Sequence, residues 1–281
     1  MHDILILLRI ELKRLFKSKL FYVSLFIGLA LSVGGFIECA KPHLNITNGF
    51  NGGVETYPFS VFNSWMGMFM GLKPISTSYL YIFMLLAALP YCGFFCRDNK
   101  NQYILQYYSR MSKNKIHAAR FIATFISGGL VTMLPLLLNL CATMMFIPAL
   151  KPSGNGLFIH SGAYIMGKLF CEHPLIYVLI YVLQFFIYGG SFALVSLAVS
   201  FFIDNTFLVI ISPFVAYYGL GIISTLCKSV MNIYSFNPMA LLSPATKLQD
   251  GMLFAYICEP IIICVICGII FFMKGKNNEA L

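Results

Sequence analysis

The feature that most constrains this chain is a series of long apolar segments. A segment of about 18 residues or more is long enough to cross a hydrocarbon core roughly 30 Å thick. Because backbone groups in lipid must form hydrogen bonds within their own segment, such segments are predicted to be helices rather than strands. The sequence therefore predicts an all-α polytopic membrane protein with about six transmembrane helices, at residues 20–37, 79–96, 121–147, 175–203, 206–226 and 253–273.

The composition agrees with this class. Hydrophobic residues make up 59% of the 281 residues and charged residues only 10%, and the mean hydropathy is +0.82. A soluble domain carries about a quarter charged residues, and no stretch remains here for one, so we predict a single transmembrane domain over residues 1–281. The net charge of +9 lies at the ends of apolar segments. This placement lacks the dense basic stripe of a nucleic-acid face, and no nucleic-acid partner is expected.

Lysines and arginines predict the orientation in the membrane. Five precede the first segment, six lie between the second and third, and two follow the sixth, against six in the other connections. The positive-inside rule then places both termini in the cytoplasm. The only sizeable cytoplasmic surface is the loop 97–120. In the first outer loop, the apolar stretch 59–72 is too short to span comfortably, and an interfacial and a re-entrant helix both remain open.

The first 19 residues predict an amphipathic helix in the plane of the inner interface. Apolar residues recur at helical spacing, at Ile4, Leu5, Leu8, Leu12 and Leu15. Another stripe carries the basic residues, which are Arg9, Lys13, Arg14 and Lys17. Such side chains would lie among anionic lipid head groups. Two interpretations follow: a basic anchor that determines topology, or an elbow helix that transmits force to the first span.

Motifs of common enzyme chemistry are missing from the sequence. It contains no phosphate loop of the form GxxxxGK[ST], no HExxH and no GxSxG, and its five histidines do not pair at metal-ligand spacing. We therefore expect no catalytic residues, no metal and no directly bound cofactor. Glu259, which precedes Pro260 in the last apolar segment, is the best candidate for an ionisable group within the membrane. Without a chain of such groups, an ion-driven carrier is disfavoured.

The order of these parts resembles the membrane subunit of ABC-2-type ABC transporters, the permeases of bacterial cytoplasmic membranes. The resemblance rests on the basic helix 8–19 before the first span and on the basic loop between the second and third. A tight turn at 204–205 and a proline-bearing outer segment at 236–244 follow in the same order. The long first outer loop and the loop 148–174 depart from the most compact members of the family.

The resemblance implies an exporter whose ATP and Mg²⁺ are held by a separate ATPase subunit. That subunit would dock on the loop 97–120, with a coupling segment that comprises Arg110, Met111, Ser112, Lys113, Asn114, Lys115 and His117. The four basic residues near the N-terminus would belong to the elbow helix. A second permease chain, identical or not, would complete the path. Its possible path or outer gate would include Glu259, Pro238 and Pro244. The expected cargo is amphipathic: an antimicrobial peptide, a drug or a lipid.

Other classes of function remain alternatives. A non-transporting membrane anchor, or a sensory or binding subunit, fits the same apolar segments. An ion-coupled secondary carrier fits them less well, and an enzyme is disfavoured because no catalytic set converges. Co-purification of an ATPase that carries a phosphate loop would separate a transporter subunit from an anchor.

Overall fold

The computed structural model describes residues 2–41, 60–100, 112–151, 164–203, 205–231, 236–244, 246–247 and 251–277. Its helices are α1 (His2–Leu15), α2 (Lys19–Cys39), α3 (Val61–Ser64), α4 (Pro74–Lys100), α5 (Lys113–Phe146), α6 (Gly167–Glu172), α7 (Pro174–Val199), α8 (Thr206–Met231), α9 (Pro238–Leu241) and α10 (Met252–Asn277). A 3-10 helix, Met66–Phe69, follows α3. These ranges contain no strand, and their only β pairing is an isolated bridge between Tyr164 and Lys247.

Six helices in the described ranges are long and apolar enough to cross a membrane: α2, α4, α5, α7, α8 and α10. The prediction of an all-α polytopic membrane protein is therefore confirmed. Two helices begin earlier than expected, since α4 starts at Pro74 rather than 79 and α5 at Lys113 rather than 121. The domain extent and the orientation stay predictions. We call the end of the bundle where α1 lies the inner end, and the opposite end the outer end.

The centre of the bundle is the contact between α5 and α7, whose backbones approach closely at a pair of glycines. A Cβ atom at Gly128 would lie 2.8 Å from the carbonyl oxygen of Gly189, and one at Gly189 would lie 3.0 Å from that of Gly128. Across the same contact, Thr132 donates its hydroxyl to the carbonyl of Phe185 at 2.9 Å. Small residues allow membrane helices to pack closely in lipid, where burial of apolar surface gives little drive to associate. The glycines therefore set how closely α5 and α7 pack.

The helices differ in how much of their surface the bundle covers. Of the most apolar stretch of α7, 67% of the residues are buried, compared with 17% in α8 and 22% in α10. Large apolar side chains on α8 and α10 are exposed, Val215, Ile222 and Phe254 among them. In a membrane protein such side chains face lipid or another chain. Thus α7 is central and α8 and α10 are peripheral.

A proline inside α8 leaves one carbonyl without its usual amide donor. Because proline has no N–H, Pro213 cannot donate to the carbonyl of Val209 four residues earlier. The hydroxyl of Ser212 donates to that carbonyl at 2.8 Å. A neighbouring side chain thus satisfies the freed group, as it must in lipid.

Of the apolar stretch predicted at 59–72, the described residues 60–70 form a buried re-entrant segment. From residue 60 to 70 every side chain except that of Asn63 is buried. The amide of Met66 donates to the side-chain oxygen of Asn139 on α5 at 2.9 Å, and the Asn139 amide group donates to the carbonyl of Ser32 on α2 at 2.8 Å. These bonds place the segment inside the bundle rather than on the membrane surface. The interfacial alternative is therefore wrong.

Both ends of the re-entrant segment lie at the outer end of the bundle. The amide of Val61 donates to the carbonyl of Pro148, just beyond α5, at 3.1 Å. After the segment, the carboxylate of Glu38 from α2 accepts from the amides of Ile75 and Ser76 at 3.1 and 3.2 Å. These amides are among the free donors at the start of α4, where a negative charge is favourable. The segment therefore enters the bundle and leaves it on the same side.

Candidate functional site

The predicted coupling segment overlaps the start of α5. Arg110 and Met111 lie outside the described residues. Ser112 is the N-cap residue of α5, although its side chain makes no capping hydrogen bond. The 34 residues of α5 extend about 51 Å, and the hydrocarbon core is about 30 Å thick. Its first turns can therefore project beyond the membrane at the inner end, where Ser112 and Asn114 are exposed and Lys113 and Lys115 are half-buried.

The residues that follow in α5 face the interior of the protein. The ring of His117 is 2% exposed and packs edge-on against Phe271 of α10, with centroids 5.1 Å apart. Ile116 and Ala119 pack with Leu7 of α1. The surface that a partner could contact on the described part of the coupling segment is consequently that of residues 112–115, and His117 lies behind it.

A buried ion pair joins α1 to the same part of α5. Arg120 Nε lies 3.3 Å from Glu11 Oε1, and both side chains are almost fully buried. The hydroxyl of Tyr91 on α4 donates to Glu11 Oε2 at 2.9 Å. In a medium of low polarity each charge is stabilised by the opposite one, because a single buried charge carries a large desolvation cost. Glu11 thereby connects α1 with α4 and α5.

The predicted elbow helix corresponds to α1, which packs against the bundle through one face. Its buried face contains Leu7, Glu11 and Leu15, whereas Leu5, expected on the apolar stripe, is 60% exposed. The predicted basic residues lie away from this face: Arg9, Lys13 and Lys17 are exposed and Arg14 is half-buried. Lys17 follows the end of α1.

Sequence reasoning missed the ion pair, although one signal for it was present. Glu11 is three and four residues from Leu8 and Leu15, so a helix places it on the apolar face rather than the basic one. An acidic residue at such a position needs a partner when that face is buried. Arg120 is among the charges from which the orientation is predicted, and the structure shows that it also pairs with Glu11.

At the outer end, Pro238 and Pro244 are both buried; Pro238 is the first residue of the short helix α9, and Pro244 follows three residues after its end. The carbonyl of Leu242 between them accepts from the hydroxyl of Tyr181 on α7 at 2.6 Å. Ser243 donates to the carbonyl of Met70 in the re-entrant segment at 2.9 Å. The structure thus brings the two predicted prolines together with the re-entrant segment.

Glu259 lies deeper in the bundle than these prolines. Tyr188 on α7 donates to Glu259 Oε2 at 2.8 Å, and Glu259 Oε1 is buried with no partner among the described residues. The next residue, Pro260, has no N–H and cannot donate to the carbonyl of Tyr256 four residues earlier. The side-chain amide of Gln184 donates to that carbonyl instead, at 2.5 Å. Two polar side chains of α7 therefore bind α10 within the span.

A groove lined partly by tyrosines opens between α4, α8 and α9. Its volume is about 500 Å³, within the range of ligand pockets. Tyr81, Tyr217 and Tyr218 contribute their rings, and Thr225 and Asn237 lie toward the outer end. The Tyr217 hydroxyl donates to the carbonyl of Leu80 at 3.2 Å. Such a lining offers both apolar surface and hydrogen-bonding groups, which suits an amphipathic molecule.

The described residues contain no group of three or more histidine, cysteine, aspartate or glutamate side chains that could hold a metal ion. The predicted site residues form three separate places: the start of α5 with α1 at the inner end, Glu259 with Tyr188 within the span, and the two prolines at the outer end. A comparison with protein-family models gives no match, and a comparison with curated proteins gives none either.

Proposed function

We propose that this chain is the membrane-spanning permease subunit of an ABC exporter in a bacterial cytoplasmic membrane. A separate ATPase chain binds ATP and Mg²⁺, and a second permease chain completes the path. The observation that carries the proposal is the first part of α5, a helix longer than a hydrocarbon core is thick, which is joined to α1 and α4 through Glu11. Force applied there reaches three helices at once.

The buried ion pair makes this junction stiff. If a partner displaces residues 112–115, Arg120 two turns further along α5 moves with them, and Glu11 must follow or lose its partner. Because such a loss is costly in a buried site, α1 and α5 move together. This behaviour is what a coupling region requires, and a passive anchor has no need of it.

The groove at Tyr81, Tyr217 and Tyr218 is the part of the described surface that best suits an amphipathic cargo. It lies between α4 and the peripheral helix α8, and it extends toward α9 at the outer end. A displacement of α8 relative to α4 would widen it. The cargo class is therefore an amphipathic peptide, drug or lipid.

The test is the capture of an ATPase by the full chain from native membranes. A photoreactive ATP analogue should label a co-purified protein whose sequence contains a phosphate loop, and its ATPase activity should rise when the permease is present. Lys113→Glu with Lys115→Glu should abolish both capture and stimulation. Lys151→Glu with Lys168→Glu, at exposed positions of the outer end, is the matched control and should change neither. Absence of an ATP-labelled partner would refute the proposal.

A second candidate, an ion-coupled carrier, is favoured by one observation: the buried Oε1 of Glu259 has no partner in the described part of the chain. A carrier of this kind would move cargo on a proton gradient without ATP, and Glu259→Gln would stop it. Transport by the reconstituted chain alone, driven by a pH difference, would favour the ion-coupled carrier over the ABC permease.

A further inference from the structure

We propose that the apolar groove between α7, α8 and α10 binds one acyl chain of an anionic phospholipid, whose head group lies at Lys274. The groove has a volume of about 400 Å³. Its lining is apolar and includes Phe192, Phe202, Gly219, Ile263 and Ile270. This site is distinct from the tyrosine groove, and the inference does not depend on the function proposed above.

The groove exists because α8 and α10 do not pack closely against each other. Both helices pack against α7, and neither covers the other along the groove. Gly219 contributes no side chain to the gap, and a Cβ atom there would have no described atom within 4 Å. An apolar groove of this size that faces the membrane interior suits hydrocarbon, since no water is present at that depth.

The groove and the helical turn that follows it reach about as far as one leaflet. On α10 the lining of the groove runs from Ile263 to Ile270, about 10 Å, and Lys274 lies one turn further, about 16 Å from Ile263. Half of a hydrocarbon core of about 30 Å is about 15 Å. An acyl chain that lies along the groove therefore reaches from the middle of the membrane to the level of Lys274.

The charge at the inner end determines which way the lipid lies and which head group it carries. There Lys274 is exposed, and its Nζ is 5.1 Å from the ring of Phe202, which lines the groove. A negative head group is attracted to Lys274. The site therefore favours phosphatidylglycerol over the zwitterionic phosphatidylcholine.

Native mass spectrometry of the full chain in neutral detergent, with either lipid added, tests the proposal. The wild type should retain one phosphatidylglycerol more tightly than phosphatidylcholine. Gly219→Leu, which fills the groove, should weaken retention of phosphatidylglycerol by about tenfold. Val215→Leu, on the exposed face of α8 outside the groove, is the matched control and should leave retention unchanged.

Lys274→Ala provides a second variant at an exposed position where folding is not at risk. It should reduce the preference for phosphatidylglycerol over phosphatidylcholine by about fivefold, the effect of one lysine near an anionic surface. Equal retention by the wild type and Gly219→Leu would overturn the proposal. So would co-purification of two differently tagged copies that Gly219→Leu abolishes, because the groove would then be an interface between chains.

Discussion

Glu11 and Arg120 carry opposite charges in a protein with few charged residues, and both are buried. A single buried charge there is costly, so the loss of either member should lower the free energy of unfolding strongly. The carbonyls left without a backbone donor by Pro213 and Pro260 are a similar case, because each accepts a hydrogen bond from one side chain instead. At both kinds of position a single polar atom decides whether a helix stays joined to its neighbour.

Arg120→Met should destabilise the protein by about 3–5 kcal/mol, because it leaves Glu11 charged and buried. Glu11→Gln should also destabilise the protein, because buried Arg120 loses the carboxylate beside it. The double variant should recover a large part of this loss, since both charges are then gone. Reversible unfolding in mixed micelles would measure the three free energies. Losses that simply add in the double variant would show that the two residues do not interact.

Gln184→Leu should destabilise the protein by about 1 kcal/mol, because the carbonyl of Tyr256 loses its donor. Pro260→Ala supplies a backbone N–H that can donate to this same carbonyl. The loss from Gln184→Leu should therefore be much smaller in a Pro260→Ala background. The free energy of unfolding of the four proteins forms the test, and an equal loss in both backgrounds would contradict the assignment.

At the scale of the helices, the close contact of α5 and α7 depends on glycine. Gly189→Leu would place its side chain against Thr132 and the backbone of α5, so the helices must separate. We expect a loss of at least about 1–3 kcal/mol, the usual cost of overpacking. Gly219→Leu makes the same change where a Cβ atom meets open space, and it should cost far less. Comparable thermal unfolding midpoints for the two variants would disprove this difference.

The helices themselves could be predicted from sequence because each span is a long apolar run that needs no knowledge of its neighbours. The early starts of α4 and α5 could not, since helix continues there into residues that are no longer strongly apolar. The stretch 59–72 stayed ambiguous because its place depends on Asn139, a residue far away in sequence.

The candidate site was only partly predictable for a similar reason. The composition of residues 112–115 indicated a basic surface, but the inward position of His117 follows from packing against α10. Likewise, Glu259 stood out as a carboxyl within an apolar run, whereas its bond to Tyr188 depends on how α7 and α10 face each other. A single ionisable residue in an apolar segment can be recognised from the sequence. Its partner on another helix cannot, because that depends on how the helices pack.

For the whole molecule, the predicted orientation places Ser112 and Lys151 on opposite sides of the membrane. Ser112→Cys should react with a membrane-impermeant thiol reagent only in inside-out vesicles, and Lys151→Cys only in intact cells. Both positions are exposed, so the reagent can reach them. The unsubstituted chain measures labelling of the native cysteines. Labelling of Ser112→Cys from outside the cell would show that the orientation is the reverse of the predicted one.

The bond between Glu11 and Arg120 also has a consequence for how the protein is made. The two residues are 109 positions apart, so ribosomes synthesise α2 and α4 before the partner of Glu11 emerges. Until then α1 lacks its docking surface on α5, although Tyr91 on α4, which also binds Glu11, is already made. Its docking is therefore a late event in biogenesis, which follows insertion of the third span and locks an arrangement that the earlier spans have already begun.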